Sequence, residues 1–565
     1  GVNGRDSIAL VEGTAIYEPF LTEAYAPEPE PEEPDPVILV PGIMGSWDVS
    51  GKWELDPILH TYDNLWQALK NAGYEEGKTL FAFPYEWRQD NTLTAYQLKQ
   101  KIDEVKNICD CDKVDVVAHS MGGLVVRAYA ESDYYGNDID QLVFLGTPHK
   151  GSPDAYLTWE GALNIVDSLK DFILKKYFNF EAHARGYEVL FDYIQDYVKS
   201  VEQLLPDYAY LQNAGETSLR IYDQASYPDN YPYNTFLENL NSAENLEKLT
   251  NSGINIFNII GNTGDNTIGV IKLSSGENYW PAWKHGYAEE LIKLAGDNTV
   301  PDISSSLFIP TKINGADHLW LPSKAQKEVV EYLTGTLPAI GITETPEPEE
   351  VLVVAVYSPV DFVIISPNGE KLGKDFLSGE NINEIKNAFY TGFQSENEFA
   401  VIVNPEKGDY RVELIGTGNG TYELGVDIIG EMEEKQGENL ISGIISAGDK
   451  EIFEFNYFDN NGTLEIIIQK EISIEDLEKD LDELYEAGEI KEKQAYNYLS
   501  AKFRKLNEIY GKIEDKKDEE KRKQEFIKES EKIIEKLEFY LEKSWLTQTA
   551  FSILTNNINY LIENL

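Results

Sequence analysis

The spacing of hydrophobic and polar positions changes character several times along this chain, and the changes divide it into blocks. Between residues 36 and 336, short apolar runs alternate with stretches of helical spacing. Val37-Ile38-Leu39-Val40, Leu80-Phe81-Ala82-Phe83, Val114-Asp115-Val116-Val117 and Leu142-Val143-Phe144-Leu145 read as strands. Leu65 to Leu69, Leu98 to Ile108 and Leu124 to Tyr129 read as the helices between them. Such alternation predicts a largely parallel sheet covered by helices, an α/β domain. After Gly146 it gives way to aromatic- and leucine-rich sequence from Asp154 to Leu240, and strands resume at Ile254 to Ile260 and Leu307 to Pro310. An insertion there, spanning about 150–250, predicts a helical cap over the active edge of the sheet.

From 351 to 471 strands such as Val351 to Tyr357, Phe399 to Val403 and Tyr410 to Leu414 are punctuated by turn pairs at Asn368-Gly369, Asn419-Gly420 and Asn461-Gly462. That pattern predicts a β-sandwich. From 472 to 565 the period becomes helical again, with Leu477, Leu481 and Leu484, then Leu499, Phe503 and Leu506, then Ile533, Leu537 and Leu541. Three or four packed helices are expected, the second starting at Gly488-Glu489-Ile490. Two Pro/Glu-rich segments, Ala26 to Pro36 and Thr343 to Glu350, read as extended linkers. The expected organisation is therefore 1–35 extension and linker, 36–336 catalytic domain, 337–350 linker, 351–471 β-sandwich and 472–565 helical domain.

Composition narrows the partners. At 565 residues with 42% apolar positions the chain can fill several cores. Its 99 acidic against 48 basic residues give a net charge of −51, which repels nucleic acid and anionic lipid headgroups. There is no pair of histidines at metal-ligand spacing and no EF-hand loop, so no metal or other cofactor is called for, calcium being left open. Cys109 and Cys111, one residue apart, look too cramped for an ordinary disulfide and read as unpaired loop residues. No run is apolar and long enough to cross a bilayer. The start lacks a signal-peptide pattern, which suits a chain that begins after a removed one.

The chemistry concentrates where Val114 to Val117 runs into Ala118-His119-Ser120-Met121-Gly122-Gly123 and then a helix. A serine on so tight a strand-to-helix turn, with small residues two positions before and after it, is the context of a nucleophile elbow. Serine needs a base, which follows it in such folds. Of the six histidines only His318, in Gly315-Ala316-Asp317-His318-Leu319, lies beyond the last predicted strand. His119 reads as packing of the elbow and His149 as ordering a loop; His285, among Trp280, Trp283 and Tyr287, reads with Trp283 as a substrate contact. For the acid, Asp297 in Gly296-Asp297-Asn298-Thr299-Val300-Pro301 competes with Asp265 in Gly264-Asp265-Asn266-Thr267, and Asp297 is the choice. Oxyanion donors are expected from the backbone N–H of Met121, after the serine, and of Ile43, in the Gly-rich loop Pro41 to Ser46.

Together these motifs resemble the lecithin:cholesterol acyltransferase and lysosomal phospholipase A2-like branch of the α/β-hydrolases, with its bacterial lipase and esterase relatives. The resemblance rests on Pro36 to Gly42, on Phe83-Pro84-Tyr85-Glu86-Trp87-Arg88, on the Ala118 to Gly123 elbow, on Gly146-Thr147-Pro148-His149-Lys150-Gly151-Ser152, on Gly296 to Pro301 and on His318. It implies an α/β-hydrolase fold with a helical cap insertion, and places Ser120, Asp297 and His318 on the family's triad and Ile43 and Met121 on its oxyanion hole. It favours Asp297 over Asp265. Ala118 replaces the usual glycine, and the early disulfide of eukaryotic members has no cysteines here, so acyl transfer is not implied.

The expected activity is a serine carboxylic-ester hydrolase, lipase- or phospholipase-like, acting on a hydrophobic acyl ester. Acyl transfer to an alcohol and a surface-binding protein with a degenerate hydrolase domain are the alternatives. Appended domains behind charged spacers suggest a secreted or cell-surface enzyme whose C-terminal domains contact the cell surface or glycan.

Overall fold

The computed structural model describes residues 34–163, 169–222, 233–279, 281–338, 348–394, 397–430, 440–460, 463–465, 468–469, 472–513 and 519–565. Most of both predicted linkers, the Asn461-Gly462 turn and Trp280 lie outside them.

The chain begins with β1 (Val37–Val40), a hairpin of β2 (Ser46–Val49) and β3 (Lys52–Leu55), α1 (Asp63–Asn71) and β4 (Leu80–Ala82). Next come α2 (Asn91–Cys109), β5 (Val114–His119), α3 (Met121–Ala130) and β6 (Ile139–Leu145). An inserted block holds α4 (Asp154–Trp159), α5 (Leu169–Ala184), α6 (Leu190–Tyr197), α7 (Lys199–Glu202), β7 (Leu211–Asn213), α8 (Thr235–Leu240) and α9 (Ala243–Thr250). The chain returns with β8 (Asn255–Asn262), β9 (Thr267–Ser274), β10 (Tyr287–Leu294) and α10 (Asp302–Ser305), then β11 (Pro310–Asn314), α11 (Leu321–Lys324) and α12 (Gln326–Thr334).

Six of these strands form one sheet in the order β11-β8-β6-β5-β1-β4, with every pairing parallel. Strands β1 and β5, in its interior, are covered on both faces, which is why they read as nearly continuous apolar runs. Ile38, Val40, Val116 and Ala118 face one core with Leu98 and Ile102 of α2 and Leu124 of α3. Val37, Leu39 and Val117 face the other, with Leu65 and Leu69 of α1 and Val329 and Leu333 of α12.

Several sequence expectations are corrected. Leu307 to Ile309 are not a strand: β11 begins at Pro310, and Phe308 is apolar because it stacks on Phe144 at 5.8 Å. Strands β9 and β10, which the pattern does not flag, pair antiparallel beside β7. Cys109 and Cys111 are joined in a disulfide. Asp110 between them takes a left-handed φ of 53° at the end of α2, turning the chain so that the two Cα atoms lie 5.2 Å apart.

The next region holds β12 (Glu350–Tyr357), β13 (Val360–Ile365), β14 (Lys371–Lys374), β15 (Asn381–Asn383), β16 (Ala388–Tyr390) and β17 (Asn397–Val403). It continues with β18 (Gly408–Gly416), β19 (Gly420–Gly430), β20 (Leu440–Ile445), β21 (Lys450–Asn460), β22 (Thr463–Glu465) and β23 (Ile468–Gln469). They form two antiparallel sheets, β16-β17-β12-β19-β20 and β15-β14-β13-β18-β21-β22, with β23 on β21. Leu352 and Val354 from one and Phe362, Val412 and Phe453 from the other share a core. Asn368-Gly369 does close a hairpin between β13 and β14, whereas Asn419-Gly420 carries the chain from one sheet to the other.

The last region contains α13 (Asp476–Glu486), α14 (Lys493–Tyr510), α15 (Glu519–Glu542) and α16 (Gln548–Glu563) around a core of their own. Gly488 to Ile490 precede α14 rather than start it, and Ile490 instead bridges to Leu546.

Candidate active site

Ser120 sits at the junction of β5 and α3 with φ 54° and ψ −130°, a conformation that non-glycine residues avoid unless the surroundings impose it. The surroundings leave no room for larger neighbours. A Cβ on Gly122 would lie 2.4 Å from the Pro41 carbonyl oxygen, and one on Gly42 would lie 2.7 Å from the Ser120 Cβ. The small residues of the two loops let them close against each other around the hydroxyl.

His318, in the loop after β11, has its Nε2 2.8 Å from Ser120 Oγ and its Nδ1 2.7 Å from Asp297 Oδ2. The Asp297 carboxylate is 1% exposed and its other oxygen accepts the backbone N–H of Val300 at 2.6 Å and of Thr299 at 3.1 Å. The His318 N–H in turn donates to the Asp297 carbonyl at 2.7 Å, so the two loops are tied by backbone as well as side chain. An ionised Asp297 is acceptor only, which fixes the Nδ1–H tautomer and leaves Nε2 to accept the serine proton. Gly146 backs this pair, with space for a Cβ blocked at 3.1 Å by both Asp297 Oδ2 and His318 Nδ1. Asp265, the competing carboxylate, is exposed in the turn between β8 and β9.

His119 does more than pack the elbow. Burial holds it well below the usual histidine range, and the neighbouring His318 adds to that, so its ring is neutral. Its Nε2 lies 3.0 Å from the His318 carbonyl and therefore carries the proton, leaving Nδ1 to accept the Tyr62 hydroxyl at 2.9 Å. Tyr62 accepts the Gly42 N–H at 3.0 Å. A directed chain of hydrogen bonds thus runs from the Pro41 to Ser46 loop, through Tyr62 and His119, to the backbone of His318. No sequence motif marks Tyr62; only its place in the fold does.

Above Ser120 lies a cavity of about 90 Å³. Ile43 and Met44 line one side, and Leu157, Leu174, Val201 and Leu204 of the inserted block line another. Ile43 and Met121 flank the serine, the first half-buried in the cavity wall and the second fully buried at the start of α3. Their main chains lie in the two segments that meet at Ser120, where backbone N–H groups can face a substrate oxygen.

Trp283 and His285 do not line this cavity, contrary to the sequence expectation. Trp283 is fully buried against Gly161 and Tyr156, and His285 Nδ1 pairs with Glu160 at 2.7 Å. They anchor the β9–β10 connection to the far end of α4. His149 is buried between Phe144 and Phe308, and its carbonyl accepts the Asn241 side chain at 2.8 Å.

Among the described residues, one carboxylate cluster, Asp35, Asp115 and Asp140, has ligand atoms within 4.8 Å of one another. It lies at the opposite end of β5 from Ser120, where Asp115 accepts the Gln141 N–H at 3.0 Å and Lys113 pairs with Asp140 at 3.2 Å. No helix of the described residues is long and apolar enough to cross a membrane.

Residues 51–313 match the family model for lecithin:cholesterol acyltransferase. Lecithin-cholesterol acyltransferase-like 4 of Arabidopsis thaliana is 38% identical over 90 residues, 15% of this chain and 17% of that protein. Phospholipase A(1) LCAT3 of Arabidopsis thaliana is 30% identical over 126 residues, 21% of this chain and 27% of that protein. The similarity thus spans less than a third of either relative's length. Among solved structures, mature Bacillus licheniformis lipase BlEst2 aligns over 55% of this chain and 93% of its own at 14% identity and a TM-score of 0.29. The lin2722 product of Listeria innocua aligns over 56% and 96% at 15% identity and a TM-score of 0.27. Over residues 51–313, then, this chain is similar to the lecithin:cholesterol acyltransferase family.

Proposed function

We propose that the chain is a serine carboxylic-ester hydrolase acting on lipids or other apolar acyl esters. The reading rests on one observation above all, the unbroken hydrogen-bond chain Ser120–His318–Asp297 opening into an apolar cavity. In this mechanism His318 Nε2 takes the Ser120 proton as Oγ attacks the ester carbonyl. Asp297 holds the imidazole in its tautomer and stabilises the imidazolium. The Met121 and Ile43 N–H groups receive the developing oxyanion. His318 then returns the proton to the leaving alcohol, and water, activated by the same imidazole, releases the acid from the acyl-enzyme. The strained backbone at Ser120, between β5 and α3, holds the hydroxyl at the tip of the turn and so favours attack.

Hydrolysis of a p-nitrophenyl ester series from short to long acyl chains, with a fluorophosphonate probe for covalent labelling, tests the reading. Ser120→Ala is expected to abolish labelling and to lower kcat by about 10⁴-fold or more. A folded parent that neither labels at Ser120 nor turns over any ester would sink it.

Acyl transfer passes through the same acyl-enzyme, and the acyltransferase family match keeps it as the second reading. An acylated product formed in the presence of a lipid alcohol would distinguish it from hydrolysis. The proposed setting is extracellular or cell-surface, which suits the Cys109–Cys111 disulfide.

A further inference from the structure

Helix α5 links the cavity to the β-domain. Its first turns line the cavity through Lys170, Asp171 and Leu174. Further along, Tyr177 and Phe180 meet Phe399 of β17 at ring-centroid distances of 5.6 and 5.3 Å, and Phe180 meets Tyr357 of β12 at 5.8 Å. Lys176 pairs with Asp427 of β19 at 2.9 Å, each side chain 14% exposed. An adjoining face of the helix is pinned by Arg88, which forks onto Glu86 at 2.7 and 2.6 Å, donates to Tyr177 Oη at 3.0 Å and pairs with Glu181 at 2.7 Å. That places the Phe83 to Arg88 motif, which the hydrolytic mechanism does not use, in the support of the same helix.

The β-domain strands carry the mark of this contact. In β12, Leu352, Val354 and Val356 face the core between the two sheets, while Val351 and Val353 belong to the same hydrophobic core as Trp47, Tyr177 and Phe180. In β17, Ala400 and Ile402 face inward and Phe399 and Val401 face the hydrolase. A strand with one face in water alternates apolar and polar positions; β12 is apolar on both, because its outer face is covered by the hydrolase domain.

We propose, resting on the esterase reading for what the cavity holds, that the β-domain is a structural support for one wall of the acyl site, helix α5. It fixes α5 and thereby sets which acyl chains fit over Ser120. A 16-residue helix behaves as a rigid rod, so its position at Phe180 is transmitted to Leu174 and Lys170. Phe399, Asp427 and Arg88 are positioning residues, since none of them lines the cavity.

The test compares full-length parent, Phe399→Ala and Asp427→Asn, with Leu377→Ala, 95% exposed on the β-domain, as a control. For each, the kcat and KM of the p-nitrophenyl series and the amide hydrogen exchange of residues 169–184 are measured. Phe399→Ala is expected to lower the long-chain to short-chain ratio of kcat/KM by about tenfold, chiefly through KM, and to speed exchange in α5 by about tenfold. Asp427→Asn, which keeps the shape and removes only the charge, should shift both in the same direction by less. Folded variants with the parent's chain-length profile and the parent's α5 protection would overturn the proposal. If the parent turns over no ester, the esterase reading fails, and exchange in α5 still decides whether the β-domain holds the helix.

Discussion

At the scale of single residues, the site depends on side chains that hold others in place. Tyr62 is the clearest case, since its hydroxyl receives the Gly42 N–H and satisfies His119. Tyr62→Phe leaves both unpaired and loosens the loop that carries Ile43. It is expected to lower kcat about 10- to 100-fold, below the full loss of one oxyanion donor, with KM nearly unchanged. Steady-state kinetics on one ester suffice to check it, and an unchanged kcat would mean the loop is held by other contacts. Asp297→Asn should cost about 10⁴-fold in kcat, because an amide can present its NH₂ and favour the wrong imidazole tautomer. Asp265→Asn, in its exposed turn, should behave as the parent. Small residues and turn motifs are what single out Ser120, His318 and Asp297 in the sequence, and the fold brings the three within hydrogen-bonding reach. Trp283 and His285 were misread because aromatic residues around a histidine look alike in sequence whether they line a pocket or fill a core.

At the scale of elements, what was legible depended on burial. Strands β1 and β5, covered on both faces, announce themselves as apolar runs; β9 and β10 escape notice because exposed charges such as Lys272 and Glu290 interrupt them. In β12 the same both-face pattern was visible in Val351 to Val356, and its meaning was not, since nothing in a sequence says what lies against the second face. Strand β17 carries a further consequence. Glu398 is fully buried, and its carboxyl is pushed up to about 9, first by desolvation and then by Asp361 beside it, against the opposing hydrogen bond from Tyr390. Between the ordinary value of 4.5 and about 9 the folded chain holds a proton that the unfolded chain has released. Stability must therefore fall as pH rises through that window, by up to about 1.4 kcal/mol per pH unit from this group. Glu398→Gln mimics the protonated form and should flatten the fall, gaining most over the parent near pH 9 and least near pH 5. Thermal melts of both proteins across that range would show it; parallel curves would contradict it.

At the scale of the whole molecule, composition spoke to the filling of several cores and to excluded partners, while the division into blocks came from changes of period. What neither could convey is how far the blocks depend on one another. Trp47, Tyr177, Phe180, Val353 and Phe399 share one core although they come from both sides of the 337–350 segment. The covalent link there is not what keeps the two parts together. A chain cleaved by protease between residues 339 and 347 should still migrate as one particle in gel filtration and keep its melting behaviour. Expressed alone, residues 34–338 should aggregate, having bared the aromatic strip of α5, and co-expression with residues 348–565 should rescue them, the two fragments reconstituting a protein that no longer needs to be a single chain.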